Sequence, residues 1–394
     1  MGNSAVDWRP HRRRNITAME AVEREFTDGA TAIVRGALAA GCDFFAGYPI
    51  TPASSILMMM LQNLPTRGGI GIQGEDEIAS IGMCIGAAMA GSRVMTATSG
   101  PGISLYSENI GMAIMGEVPL VIVDVQRLGP STGAATTTAQ GDVQFVRWGT
   151  GGGYPVIALA PSTVTECYTL TMRAFDLAER FRCPVFVLVD KELALTMRTV
   201  VAAGFTDYPV RDRAVVDPAD TDPPPEYRFE PASDVVPMQV YGGDHAVRFT
   251  GSTHDERAFI TKNPTVVGAL NEHLIRKISD HGDEIALVKT DPQAGARTLL
   301  VSYGVTAGSM RDAIAAARAA GTKVAGLTVQ SLWPVPEAEI RAAAGGIERV
   351  VVAELNPGLY AREIDRVLPG VEIVSLARTD GRLIAPAELI EVIT

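Results

Sequence analysis

Cysteine is scarce in this chain: the four present, Cys42, Cys84, Cys167 and Cys183, stand far apart and form no C-x-x-C pair. That spacing argues against an iron–sulfur cluster or structural zinc held by this chain alone. Their apolar neighbours point to buried thiols in a reducing compartment. Basic residues are in deficit, 34 Lys and Arg against 45 Asp and Glu, for a formal charge of −11. A broad nucleic-acid or anionic-membrane surface needs the opposite balance. The one basic run, His11-Arg12-Arg13-Arg14, leads into polar and Glu-rich sequence and not into an apolar signal segment. Long hydrophobic runs are missing too: Ile78 to Ala90 is rich in Gly and Ala and falls short of the ~20 residues that span a bilayer. The expectation is a cytoplasmic protein with no nucleic-acid or membrane partner. The strand-to-helix turn from Thr96 to Gly102 has neither the G-x-G-x-x-G fingerprint nor the G-x-x-x-x-G-K-[ST] loop, so a nicotinamide or ATP site is not indicated there.

What is present is the makeup of an α/β enzyme: 47% hydrophobic and 20% charged residues, with 39 Gly and 24 Pro, over 394 residues. That length suits two domains with proper cores. Residues 1–27 read as an N-terminal extension, with Trp8 as a candidate anchor and a short charged helix from Met19 to Arg24. Residues 28–200 alternate helices (Gly29 to Ala40, Pro52 to Gln62, Glu77 to Ala90) with strands (Phe44 to Gly47, Val94 to Thr98, Leu120 to Gln126, Val156 to Leu159, Val185 to Val189). The runs Leu120–Val123 and Val185–Val189 are nearly unbroken, as in parallel strands covered on both faces, so a doubly wound parallel sheet is expected. Residues 201–290, rich in Pro and Gly, read as a linker and covering segment, with a helix from Pro264 to Ile278. Residues 291–394 form a smaller α/β domain, with strands at Thr298 to Ser302, Lys323 to Thr328, Arg349 to Ala353 and Glu372 to Ser375.

Four motifs carry candidate chemistry. In Tyr48-Pro49-Ile50-Thr51-Pro52, Thr51 reads as an N-cap with Pro52 at the first helical position; it is either a plain cap or a helix end that receives a carboxylate. In Glu75-Asp76-Glu77, three acids open an apolar helix. They either complement its dipole or supply a desolvated general acid. Thr96-Ala97-Thr98-Ser99-Gly100-Pro101-Gly102 is a tight strand-to-helix turn, followed by a helical stretch from Ile103 to Met115, where a ring or another subunit can approach the backbone. Asp124-Val125-Gln126-Arg127 ends a buried strand where open α/β sheets keep their ligands. Arg127 there either forms a structural ion pair or meets a carboxylate with its planar fork. Gly141-Asp142 and Arg147-Trp148 follow in a loop placed to close over the site.

Together and in this order, these motifs resemble the alpha subunits of the 2-oxoacid:ferredoxin oxidoreductases. The resemblance is strong over residues 28–200 and looser over 264–394, and Gly251-Ser252-Thr253-His254-Asp255-Glu256 is also family-like. It implies a thiamine-diphosphate-binding domain of the pyrimidine type, followed by a transketolase-C-terminal-like domain. It further implies that Glu77 is the carboxyl at N1′ of the aminopyrimidine, with Glu75 and Asp76 as its companions. Tyr48, Pro49, Ile50, Ser99, Gly100, Pro101 and Gly102 become cofactor contacts, and Thr51 and Arg127 hold the substrate carboxylate. A beta subunit is implied to bind the diphosphate through Mg²⁺ and to carry the iron–sulfur cluster. Consistent with this, Gly141-Asp142, Gly243-Asp244 and Gly282-Asp283 lack the G-D-G…N pattern of a diphosphate–metal site, so no metal is assigned to this chain.

The implied activity is oxidative decarboxylation of 2-oxoglutarate with coenzyme A to succinyl-CoA and CO₂, with electrons passing through the beta subunit to ferredoxin in an (alpha-beta)₂ assembly. Arg147 and Arg198 are candidates for the distal carboxylate. Branched-chain 2-oxoacids or pyruvate are the alternative substrates, and a non-catalytic assembly subunit is a third reading. Some alpha chains carry a fused gamma domain ahead of the matching region. Here about 27 residues stand there, so separate gamma and delta subunits, or none, are expected.

Overall fold

The computed structural model describes residues 23–217, 219–220 and 222–393. Trp8, the basic run and most of the helix expected from Met19 lie outside them. The first unit contains the strands β1 (Arg24–Thr27), β2 (Phe44–Gly47), β3 (Ile70–Gln73), β4 (Val94–Thr98), β5 (Leu120–Gln126), β6 (Ile157–Leu159), β7 (Pro184–Asp190) and β8 (Arg198–Val201). Its helices are α1 (Gly29–Ala39), α2 (Ser54–Asn63), α3 (Glu77–Met89), α4 (Gly100–Leu105), α5 (Ser107–Met115), α6 (Val143–Trp148), α7 (Val164–Phe181) and α8 (Lys191–Leu195). Local chemistry sets several starts. Asp28 accepts from the Thr31 amide at 2.8 Å to cap α1, and Thr163 accepts from Glu166 at 3.1 Å to cap α7.

β2 to β7 form the parallel sheet expected from the apolar runs, in the order β6-β7-β5-β4-β2-β3. Every residue of β5 and β7 is buried. The inward alternation of these strands feeds two apolar layers. Val121, Val123 and Val187 pack with α1, α2 and α7, whereas Ile122, Phe186 and Leu188 pack with α3 and α5 on the other face.

Three expectations are corrected. Arg24 does not end a helix: Arg24–Thr27 is a strand, paired antiparallel with β8, which supplies its backbone with partners. The edge strand β3, flanked by glycines at 69 and 74, is added beyond the expected set. The helical stretch from Ile103 to Met115 begins earlier, at Gly100, and is divided at Tyr106, whose buried hydroxyl pairs with Thr96 Oγ1 at 2.7 Å.

The covering segment is anchored by charge. Arg211 binds Asp176 and Arg213 binds Glu179, both at 2.7 Å, which ties the segment to α7. Then come α9 (Pro264–Ser279), α10 (Gly282–Ile285), β9 (Val288–Asp291), β10 (Thr298–Ser302), α11 (Thr306–Ala319), β11 (Val324–Val329), β12 (Ser331–Trp333), α12 (Glu337–Ala343), β13 (Arg349–Glu354), α13 (Ala361–Val367), β14 (Glu372–Ala377) and α14 (Pro386–Ile393). The second sheet has the order β14-β13-β10-β11-β9, parallel except for β9.

The two units are sewn together. β12 leaves the second unit and pairs antiparallel with β6 of the first. Gln140 reaches across: its side chain donates to the Tyr303 carbonyl at 3.2 Å and accepts from the Leu355 amide at 2.9 Å. Asp190, at the end of β7, accepts from the Val305 amide at 2.5 Å. Gly304 has φ of +57°, and a β-carbon there would lie 2.2 Å from the Asp190 carboxylate, so this crossing requires glycine.

Candidate active site

The motif residues converge at the C-terminal ends of β2, β4 and β5, the edge at which open parallel sheets bind ligands. After β2 the chain runs through Tyr48, Pro49 and Ile50 into a turn at Thr51-Pro52-Ala53, with a cis peptide before Pro52. Thr51 is not the N-cap that the sequence suggested. The first bonds of α2, from the amides of Ile56 and Leu57, go to the Ala53 carbonyl. The Thr51 carbonyl instead accepts from Arg127 Nη1 at 2.5 Å. The positive group beside Thr51 is therefore a guanidinium and not a helix end.

Arg127 is 6% exposed. Its Nη2 donates to the Thr132 carbonyl at 3.1 Å, and its Nε has no partner among the described residues. Carbonyls therefore hold this buried cation, and it forms no salt bridge among the described residues. That leaves donor capacity for an anion, since a guanidinium carries five N–H groups in a fixed fork.

The three acids separate as their positions on α3 dictate. Glu75 is exposed, and Asp76 caps the helix by accepting from the Ala79 amide at 2.7 Å. Glu77, in the first turn, is buried at 7% exposure and accepts no hydrogen bond from a described residue. It lies against Gly102: a β-carbon on Gly102 would stand 3.0 Å from Glu77 Oε1 and 2.0 Å from Thr98 Oγ1. Ser99 is fully buried, and its hydroxyl and that of Thr98 have no partner among the described residues. A buried carboxyl, two unpartnered hydroxyls and a backbone bared by glycine suit a flat ring with polar nitrogens at its rim, as an aminopyrimidine has.

The expected loop residue Asp142 precedes α6 and lines a cavity of about 370 Å³. Arg127 and Gly141 form one wall of this cavity, and Leu355, Asn356 and Leu359 of the second unit form the other. Neither candidate for a distal carboxylate joins this group. Arg147 is spent on the carbonyls of Gly153 and Tyr154, both at 3.0 Å, and stacks on Trp148. Arg198 sits in the β1–β8 ribbon. A larger cavity of about 620 Å³ beneath the second sheet has Glu339 as its single titratable lining residue.

Sequence reasoning passed over Asp124. It is fully buried on β5, and its carboxyl is pushed well above the usual range by burial and by the nearby Asp142. Its signal was an acid inside an apolar run. The four cysteines are buried free thiols; burial pushes Cys84 and Cys183 up to about 12. Among the described residues no group of three or more His, Cys, Asp or Glu side chains is placed to hold a metal, and no helix is long and apolar enough to cross a membrane.

Residues 35–270 match the family model described as pyruvate flavodoxin/ferredoxin oxidoreductase, thiamine diphosphate-binding, and residues 296–389 match pyruvate:ferredoxin oxidoreductase core domain II. Fold and family together define a thiamine-diphosphate-binding protein. The chain is 41% identical over 375 residues to 2-oxoglutarate synthase subunit KorA of Methanothermobacter thermautotrophicus, covering 94% of this chain and 98% of the relative. It is 36% identical over 371 residues to ketoisovalerate oxidoreductase subunit VorB of the same organism, covering 93% and 96%. The solved 2-oxoglutarate:ferredoxin oxidoreductase from Magnetococcus marinus, with 2-oxoglutarate, coenzyme A and succinyl-CoA bound, matches with a TM-score of 0.88 and 31% identity. That match covers 94% of this chain and 64% of the other, so this chain spans less than two thirds of it. The chain belongs to the 2-oxoacid:ferredoxin oxidoreductase family.

Proposed function

We propose that this chain supplies the pyrimidine side of a thiamine-diphosphate site in a cytoplasmic complex that oxidatively decarboxylates 2-oxoglutarate with coenzyme A, giving succinyl-CoA and CO₂. The observation that carries the reading is Glu77: a buried carboxyl with no hydrogen bond from the described residues, set against the bare backbone of Gly102. Thiamine diphosphate, when bound, supplies the carbanion chemistry that splits a 2-oxoacid. The chain's own residues orient the reactants. Glu77 holds a proton at the ring nitrogen of the aminopyrimidine. Tyr48, Pro49, Ile50 and the turn from Ser99 to Gly102 form the bed for the ring, and Gly102 keeps Glu77 in reach. Arg127, fixed on the Thr51 carbonyl, uses its free Nε side to hold the substrate carboxylate, and Thr51 stands beside it.

Partner subunits complete the site. A beta subunit binds the diphosphate through Mg²⁺ and carries an iron–sulfur cluster that passes electrons to ferredoxin, in an (alpha-beta)₂ complex with separate gamma and delta subunits or none. The domain division follows the same reading: a pyrimidine domain over residues 28–200, a covering segment over 201–290 and a transketolase-C-terminal-like domain over 291–394. Kinship to KorA favours 2-oxoglutarate, whereas the VorB match keeps 2-oxoisovalerate as the competing substrate. The test is to purify the chain with its partner and measure acceptor reduction with 2-oxoglutarate, pyruvate and 2-oxoisovalerate. The highest kcat/KM is expected for 2-oxoglutarate; turnover of another acid without it would sink the assignment.

A further inference from the structure

Beneath Arg127 lie two carboxyls to which the proposed function gives no role. Asp124 is fully buried on β5, and its strand neighbours are Thr98 on β4 and Leu188 on β7, neither of them charged. Asp142, at the mouth of α6, donates its amide to Gln126 Oε1 at 3.3 Å, which seats it at the end of β5 close enough for the two carboxyls to act on each other. Both oxygens of Asp124 and Oδ2 of Asp142 are buried with no partner among the described residues. The Gly100 amide is near enough to temper Asp124 without closing a hydrogen bond of normal geometry. Two acceptor-only carboxylates that act on each other in a buried site repel; a proton between them turns the repulsion into a hydrogen bond.

The charges close around this pair. Arg127 is the one cation that acts on Asp142, and it has no other counter-ion among the described residues. Glu77 lies beyond Thr98 and Gly102, and Asp190 ends the next strand but faces Val305 and Gln140. Burial first, and then the mutual repulsion of the pair, raise Asp124, whereas burial raises Asp142 to about 6 against the hydrogen bond from Asp124 and then the pull of Arg127.

We propose that Asp124 and Asp142 share a single proton, act together as the counter-charge to Arg127, and take up a second proton when Arg127 binds a substrate carboxylate. One shared proton leaves the pair with a single negative charge, which balances Arg127. An arriving carboxylate adds an uncompensated negative charge to a buried site, where like charges interact far more strongly than in water. Proton uptake from solvent restores the balance; Asp142 reaches solvent through the cavity wall. Asp124 and Asp142 are thus positioning residues that act through Arg127, and the pair makes anion affinity fall as pH rises.

The inference rests on the reading of Arg127 as the carboxylate site, and the test separates the two. The assembled complex is titrated calorimetrically near pH 7 with 2-hydroxyglutarate, lactate and 2-hydroxyisovalerate, in buffers of differing ionisation enthalpy. Infrared spectra of the ligand-free complex are compared between wild type and Asp124→Asn. The expected results are uptake approaching one proton per bound anion, abolished in Asp124→Asn/Asp142→Asn, and a protonated-carboxyl band lost in Asp124→Asn. KM should rise with pH in the wild type and stay flat in the double variant, with kcat changed less than KM. If lactate or 2-hydroxyisovalerate binds in place of 2-hydroxyglutarate, the substrate assignment falls while uptake on that analogue still judges the pair. Buffer-independent enthalpies, uptake that survives in the double variant, an unchanged carboxyl band or binding by none of the three would overturn the proposal.

Discussion

Glu77→Gln preserves the side chain's shape and removes its acid function, and the structure sets two opposite expectations for it. For turnover, a general acid positioned at a reacting ring typically contributes ~10²–10⁴-fold, equivalent to about 2.7–5.5 kcal/mol of barrier. For stability, two local effects compete. The carboxylate in the first turn of α3 gains from the helix dipole, about 0.3–1 kcal/mol. The same carboxyl is 7% exposed, but neither of its oxygens is among the fully buried unpartnered atoms, so a neutral amide relieves little there. The variant should therefore fold within about 1 kcal/mol of the wild type. The assay pairs steady-state acceptor reduction by the co-purified complex with chemical denaturation of the same preparation. Turnover within a factor of ten of wild type would refute the role given to Glu77. A loss of turnover that merely tracked a loss of folded or assembled protein would refute it equally.

Three further outcomes follow from the geometry. Burial pushes Glu117 up, but the Lys277 ammonium at 3.0 Å and His273 at 3.0 Å more than reverse this and hold the carboxyl well below its usual range. Lys277→Met should therefore cost about 3–5 kcal/mol in urea unfolding, because a buried charge loses its partner; the additional change Glu117→Gln should recover much of that loss. Gly102→Ala places a methyl group 2.0 Å from Thr98 Oγ1 and 3.0 Å from Glu77. It should cost about 1–3 kcal/mol by overpacking and depress kcat by shifting Glu77, as read by unfolding and turnover together. Burial raises Asp190 to about 7, above an unfolded value of about 3.9. The folded state then holds a proton that the unfolded state has lost, so the group's contribution to stability falls as pH rises from about 4 to 7 and is flat above. Asp190→Asn should remove that slope, gaining on the wild type between pH 5 and pH 8 in unfolding measurements; a constant difference would contradict the shift.

The first sheet was legible because its strands, buried on both faces, are written as continuous apolar runs; β2, β4 and β5 begin and end where the pattern placed them. Less legible were elements that depend on distant partners. β1 carries no apolar alternation and exists by pairing with a strand about 170 residues later. β3 is four residues long and half glycine-flanked, and β12 belongs by sequence to the second unit yet completes the first sheet. At the site, residue types and order pointed to Glu77 and Arg127, but the Thr51-Pro52 signal misled. A Thr before Pro reads as a cap in one dimension, whereas here the Thr51 carbonyl is claimed by Arg127 from 76 positions away. Asp124 was visible as an anomaly in an apolar run, but its meaning depended on Asp142 facing it, which no local pattern encodes.

The distribution of unsatisfied polar atoms shows where this chain is incomplete. Folded proteins pair nearly all their buried polar groups, and each exception needs a cause. More than half of the buried, unpartnered side-chain atoms among the described residues belong to Ser55, Thr98, Ser99, Asp124, Arg127, Thr138 and Asp142, around the C-terminal ends of β4 and β5. The seam between the two units is better satisfied: Gln140 and Asn356 are engaged on both sides, and one oxygen of Asp190 is left without a partner among the described residues. Loose packing would scatter its orphans across both regions. A concentration at one sheet edge is the pattern of a surface shaped to receive polar groups that this chain does not carry. A carboxyl, hydroxyls and one guanidinium suit a ring and a carboxylate.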